Sequence, residues 1–182
     1  MHSPGNDLLL VAGKVVAIIL QGLMAIGAAA LVIALPFVAF FSTDLATDFA
    51  DGSAIDAAAL PVLPLVGALA IGVAILVALF LFFGKLRAVI DTVGEGDPFI
   101  PANAERLSMM AWLLLATQLL TWPLIAFGLM LAEWAQELDE VDISFEADGF
   151  DLTGILMVLV LFILARVFRH GAAMRADLEG TV

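Results

Sequence analysis

Four apolar runs, each long enough to cross a bilayer, alternate in this chain with short charged segments whose charges are sorted by sign. All seven cationic side chains, Lys14, Lys85, Arg87, Arg106, Arg166, Arg169 and Arg175, fall at run ends that would meet one side of a membrane. Two other connecting segments, 42–59 and 132–151, hold twelve acids and no base. Lys and Arg are retained on the cytoplasmic side of membrane proteins, so the basic ends are expected to face the cytoplasm and the acidic loops to face out. The net charge of −12 is then wholly external. The inner side balances seven bases against Asp7, Asp91, Glu95, Asp97, Glu105, Asp177 and Glu179.

At 63% hydrophobic and 14% charged, the chain lies far outside the composition of soluble domains. Each crossing takes about 20 apolar residues, so four crossings and their connections use nearly all 182 residues. The expected fold class is therefore an all-α four-helix transmembrane bundle, a single membrane domain with both termini cytoplasmic. The spans are placed at about 15–35, 65–83, 111–131 and 152–168, with a cytoplasmic connector at 84–108 and a cytoplasmic tail at 169–182. Residues 8–41 form one long run, in which Lys14 is read as snorkelling at the inner boundary and Pro36 as the outer end. No basic segment precedes that run, which is read as an uncleaved span rather than a signal peptide.

Inside the connector, Gly94-Glu95-Gly96 breaks the helix emerging from the second span. Pro101 suits the first turn of a new helix that leads through Arg106 into the third. Pro123 interrupts that span and implies a kink. The fourth span has 14 uncharged residues before Arg166, about 21 Å of helix against a core of about 30 Å. Either Arg166 lies within the hydrocarbon or the bilayer thins there. The first two spans are rich in Gly and Ala, which would let helices approach closely; a compositional bias explains them equally well.

Two stretches carry a family resemblance. The connector Gly96-Asp97-Pro98-Phe99-Ile100-Pro101-Ala102-Asn103-Ala104-Glu105-Arg106-Leu107 and the tail from Leu164-Ala165-Arg166-Val167-Phe168-Arg169-His170 through Val182 resemble the DUF2975 family of small bacterial membrane proteins. That resemblance implies an inner-membrane protein without an assigned activity. It also implies a cytosolic DNA-binding regulator of the small helix-turn-helix kind, encoded alongside, as a partner. Many members of the family have a basic residue where Ala104 or Ser108 stands here, so this connector is less cationic than the pattern.

No constellation for catalysis is present. His2 and His170 lack a second His at metal-ligand spacing, there is no GxSxG or P-loop, and the absence of cysteine excludes thiol chemistry and Cys-ligated metals. No cofactor, metal or enzymatic activity is expected. His170 reads as an interfacial polar residue. Ser144, Glu146, Asp148 and Gly149 imitate part of a calcium-binding loop, yet Ile155 stands where the bidentate Glu belongs. The acidic loops are better explained by topology. Without a basic patch beyond the membrane ends, direct nucleic-acid binding is not expected either; the lipid bilayer is the one partner composition implies.

Two groups of residues remain as candidate sites. The first is a cytoplasmic partner surface of Asp97, Pro98, Phe99, Ile100, Arg106, Arg169 and Arg175, because Phe99 and Ile100 are apolar residues fixed between prolines and must pack on something. A cytosolic protein and the chain's own C-terminal helix, through Phe168, Ala172 or Leu178, are the two candidates for that contact. The second is an intramembrane polar layer of Gln21, Gln118 and Arg166, each counted to a similar depth from the inner end of its span; snorkelling of Arg166 is the competing account. The function these features suggest is signalling or regulation through the connector and tail. A small transporter or channel subunit is the alternative, and it is disfavoured because every Asp and Glu lies outside the expected spans.

Overall fold

The computed structural model describes residues 8–50, 61–136 and 151–179, with side chains only to residue 40 in the first stretch. Among the described residues the fold is all-α, with four helices, α1 (Leu8–Ala50), α2 (Val62–Gly94), α3 (Pro101–Gln136) and α4 (Leu152–Glu179). Each contains a segment long and apolar enough to cross a membrane, as in a multi-pass membrane protein. Ile26, Ile33, Phe37, Leu119 and Ile163 are each more than half exposed. Apolar surface on this scale is what a lipid-facing helix presents.

The helices overrun the expected spans. α1 passes through Pro36 without ending, so the segment read as an outer loop from residue 42 is helical as far as Ala50. Proline removes one backbone donor and disturbs one turn, which a membrane helix tolerates where the following turns have an apolar environment. At the other end of α2, only residues 95–100 separate it from α3. The break there is a helix cap in which Asp97 N–H donates to the Thr92 carbonyl and Gly96 N–H to that of Val93, both at 3.1 Å. Gly96 takes φ 83°, the left-handed conformation that closes such a cap and that a Cβ would oppose. Pro101 opens α3 as its first residue, where its missing N–H costs nothing.

The chain divides into two compact units. One comprises Met1–Ala25, Val77–Gln118 and Asp151–Val182; its core is Leu107, Met110 and Ala111 of α3 against Leu161 and Ala165 of α4, with Phe82, Leu86 and Phe168 packed around them. The other comprises Ile26–Leu76 and Leu119–Phe150. There, a Cβ on Gly72 would meet Leu31 at 3.0 Å, one on Gly27 would meet Leu76 at 3.2 Å, and one on Gly67 would meet Phe127 at 2.6 Å. At these three positions the small residues do permit close helix approach. The acids of 51–60 and 137–150, the short alternation Val141, Ile143 and Phe145, the imitation calcium loop, and residues 1–7 and 180–182 lie outside the described residues.

Candidate functional site

The connector is rooted by a polar hub that forms where α2 ends and α3 begins. Asn103, fully buried, donates from Nδ2 to Thr92 Oγ1 at 2.7 Å and to the Pro98 carbonyl at 2.9 Å. Its Oδ1 accepts from Arg106 Nη1 at 2.8 Å, and the same Arg106 nitrogen donates to the Ala88 carbonyl at 3.1 Å. The Thr92 hydroxyl gives its own proton to the Val89 carbonyl at 2.8 Å, which leaves its oxygen to accept from Asn103. Each buried polar group thereby has a partner, the condition under which such a network rigidifies its surroundings. Arg106 is thus turned into the connector's root rather than outward.

Beyond the hub, the connector closes on α4 at two points. The Phe99 ring lies 5.2 Å from that of Phe168 at an interplanar angle of 41° and fills the space above Gly171. Asp97 forms an ion pair with Arg175, both side chains about half exposed. Of the candidate partner surface, Asp97, Phe99 and Arg175 are therefore joined to one another through α4, and Pro98 is held through its carbonyl. Ile100 accepts from Asn103 N–H at 3.0 Å through its own carbonyl. Arg169 stands apart, in a groove beside α3. Of the two candidates for the Phe99 contact, the structure contains the intramolecular one, although Phe99 keeps 42% of its surface exposed. A second ion pair, Lys14 with Asp91 at 2.7 Å, ties α1 to α2, and Arg87 approaches Asp91 at 4.0 Å.

The structure does not bring Gln21, Gln118 and Arg166 together. Gln118 Nε2 donates to Asp151 Oδ2 at 2.7 Å, at the start of α4, whereas Arg166 lies 15 residues farther along that helix, about 22 Å away along its axis. Gln21 sits against Gly84 of α2, its amide nitrogen 3.0 Å from where a Cβ there would be. The reason is register. α3 and α4 are set against each other by Leu107, Met110, Ala111, Leu161 and Ala165 and by the edge-to-face pair of Trp112 and Phe162, so α4 begins beside Gln118 instead of at the far end of α3's apolar run.

Asp151 is the residue that sequence reasoning passed over at this point. Its Oδ1 accepts from Gly154 N–H at 2.9 Å, an N-cap on α4. The Gln118 amide and then the Gly154 N–H hold its carboxyl below the ordinary range, since both bonds favour the charged form. An Asp immediately before an apolar run, with Gly three residues on, was the available signal. Asn103 offered a weaker one, because its partner Thr92 lies 11 residues away in sequence. Among the described residues no three His, Asp or Glu side chains are grouped closely enough to hold a metal ion.

A family model described as a protein of unknown function, DUF2975, matches residues 45–182 of this chain. Neither a curated protein nor a solved structure matches it.

Proposed function

The chain belongs to the DUF2975 family, and from that premise and the geometry of the connector we propose that it is a regulatory, non-enzymatic component of the bacterial inner membrane. Its termini and connector face the cytoplasm, and the connector is a latch that a cytosolic partner holds open or closed. One observation carries this reading. The connector combines a root of buried hydrogen bonds at Asn103 with a tip that meets α4 through partly exposed contacts, Phe99 on Phe168 and Asp97 on Arg175. Exposed ion pairs contribute at most about 1 kcal/mol and an aromatic pair about as much. A tip so held can be released by a ligand whose affinity differs modestly between the two states, which is the requirement for a switch.

The partner is a DNA-binding regulator of the small helix-turn-helix kind, held at the membrane by the freed apolar residues Phe99 and Phe168. The test is membrane retention of a fluorescently tagged regulator encoded beside this gene, with and without the chain. Retention that depends on the chain, is lost with Phe99→Ala and is raised by Arg175→Glu, which breaks the pair with Asp97 and frees the tip, at unchanged insertion, is the expected result. Retention indifferent to both substitutions, or absent with the intact chain, removes the regulator from the proposal.

A further inference from the structure

We infer that a groove between α3 and α4, at their cation-rich end, binds the phosphate of an anionic phospholipid from the adjoining leaflet. The groove has room for about 550 Å³ and is lined by Ser108 of α3 and by Phe162, Arg166, Arg169, His170 and Ala173 of α4. The α4 residues are spaced by four, three, one and three, which places them on one face of that helix. That face therefore offers two guanidinium groups, an imidazole and, from across the groove, a hydroxyl, with no carboxylate among the lining residues.

The other cations show why this pairing is unusual. Lys14, Arg87 and Arg175 have carboxylate partners, and Arg106 spends its hydrogen bonds on Ala88 and Asn103. Arg166 and Arg169 have no ion-pair or hydrogen-bond partner among the described residues, and both are exposed. Two such groups on one helix face repel each other unless an anion is shared between them. Phosphate suits the planar, forked donors of arginine better than any other common anion at a membrane surface.

The other end of the groove selects a lipid over a free ion. Phe162 and Ala165 line it, and the Phe162 ring meets Trp112 edge to face at 5.4 Å, with Trp112 itself 59% exposed. Exposed indoles at this kind of position sit at the headgroup level of a bilayer. A charged pocket continuing into an apolar, aromatic wall matches a headgroup phosphate with an acyl chain below it, and basic pockets between membrane helices bind anionic headgroups in this way.

Native mass spectrometry of the detergent-purified chain, with phosphatidylglycerol or phosphatidylcholine added, reads the binding directly. The intact chain should retain phosphatidylglycerol in preference to phosphatidylcholine, and the double variant Arg166→Gln, Arg169→Gln should lower that retention by roughly tenfold or more. Lys85→Gln removes a cation that has no ion pair among the described residues and lies outside the groove, and it should leave retention unchanged. Equal losses from Lys85→Gln and the double variant would mean diffuse surface charge and overturn the site. Displacement of the lipid by millimolar inorganic phosphate would make it a free-anion site and overturn the lipid assignment. Should the double variant fail to insert, Arg169→Gln alone, compared with Lys85→Gln, decides the matter on the same two readouts.

Discussion

Phe99 lies directly over Gly171: a Cβ on that glycine would come within 2.6 Å of the phenyl ring. The connector can close on α4 only because α4 carries no side chain there. Gly171→Ala should therefore displace the ring and loosen the tip, with little effect on α4 itself, since alanine favours helix over glycine by about 1 kcal/mol. The chain has no cysteine, so a pair introduced by Asp97→Cys and Arg175→Cys reports closure without background. A short bifunctional thiol reagent, spanning about the reach of the replaced arginine, should link that pair in membranes, and Gly171→Ala should reduce the linkage severalfold. Undiminished cross-linking would show that closure does not depend on the Phe99 seat.

Asn103 should tolerate neither truncation nor a charge. Asn103→Ala strands the Thr92 oxygen, the Pro98 carbonyl and one bond of Arg106 in a buried site, a loss of about 2–4 kcal/mol. Asn103→Asp is nearly isosteric and still able to accept from Arg106, but it cannot donate. Its second oxygen would face the Thr92 oxygen and the Pro98 carbonyl, both acceptors in this network. Both variants are expected to lower the thermal midpoint in detergent by similar amounts. If Asn103→Asp matches the unaltered chain, the donor role of Nδ2 is wrong.

The cap on α4 should respond to acid in a defined direction. The carboxyl of Asp151 titrates below its ordinary 3.8, so the bonds to Gln118 and Gly154 stabilise the folded chain fully above that value. They are lost as pH falls through the lower folded one. Gln118→Leu deletes the larger cause and should return the carboxyl toward 3.8, so that the cap is lost at higher pH than in the unaltered chain. Carbon-13 NMR of labelled aspartate carboxyls follows this residue directly. Coincident Asp151 titrations in the two chains would contradict the role of the Gln118 amide.

Much of the architecture was legible because its signals are local or summed over many residues. Four long apolar runs suffice for four helices, and Gly96 and Pro101 marked a helix end and a helix start through constraints on their own backbone. Pro36 misled because its effect is confined to one turn, while the apolar run around it favours helix. The layer of Gln21, Gln118 and Arg166 was misplaced because depth was counted separately from each span's inner end, whereas the register of α4 is decided by side chains such as Phe162 and Trp112 meeting across helices. Asn103 lies within the connector motif, but its role is not visible there, since that role requires Thr92 to be brought beside it by the Gly96 turn. In Arg166, Arg169 and His170 the helical spacing could be read directly. What could not be read is that the two arginines have no ion-pair or hydrogen-bond partner among the described residues.

The proposed orientation would bring the connector, the proposed latch and the proposed lipid groove to one compartment. Lys14, Lys85, Arg87, Arg106, Arg166, Arg169 and Arg175 all belong to one compact unit, together with the connector and α4, while segments 42–59 and 132–151 hold only acids. A bias this complete should override weaker signals for insertion. Reporters that are active only in the cytoplasm should therefore work when fused after Val182 or inserted beside Gly96, and reporters active only outside should work beside Gly52 or Asp148. Moving charge provides the stricter check: adding three lysines beside Gly52 while replacing Lys85 and Arg87 with glutamine should scramble the reporter pattern of the first two spans. An external reporter after Val182 in the unaltered chain would invert the assignment, placing the connector where no cytosolic regulator could reach it.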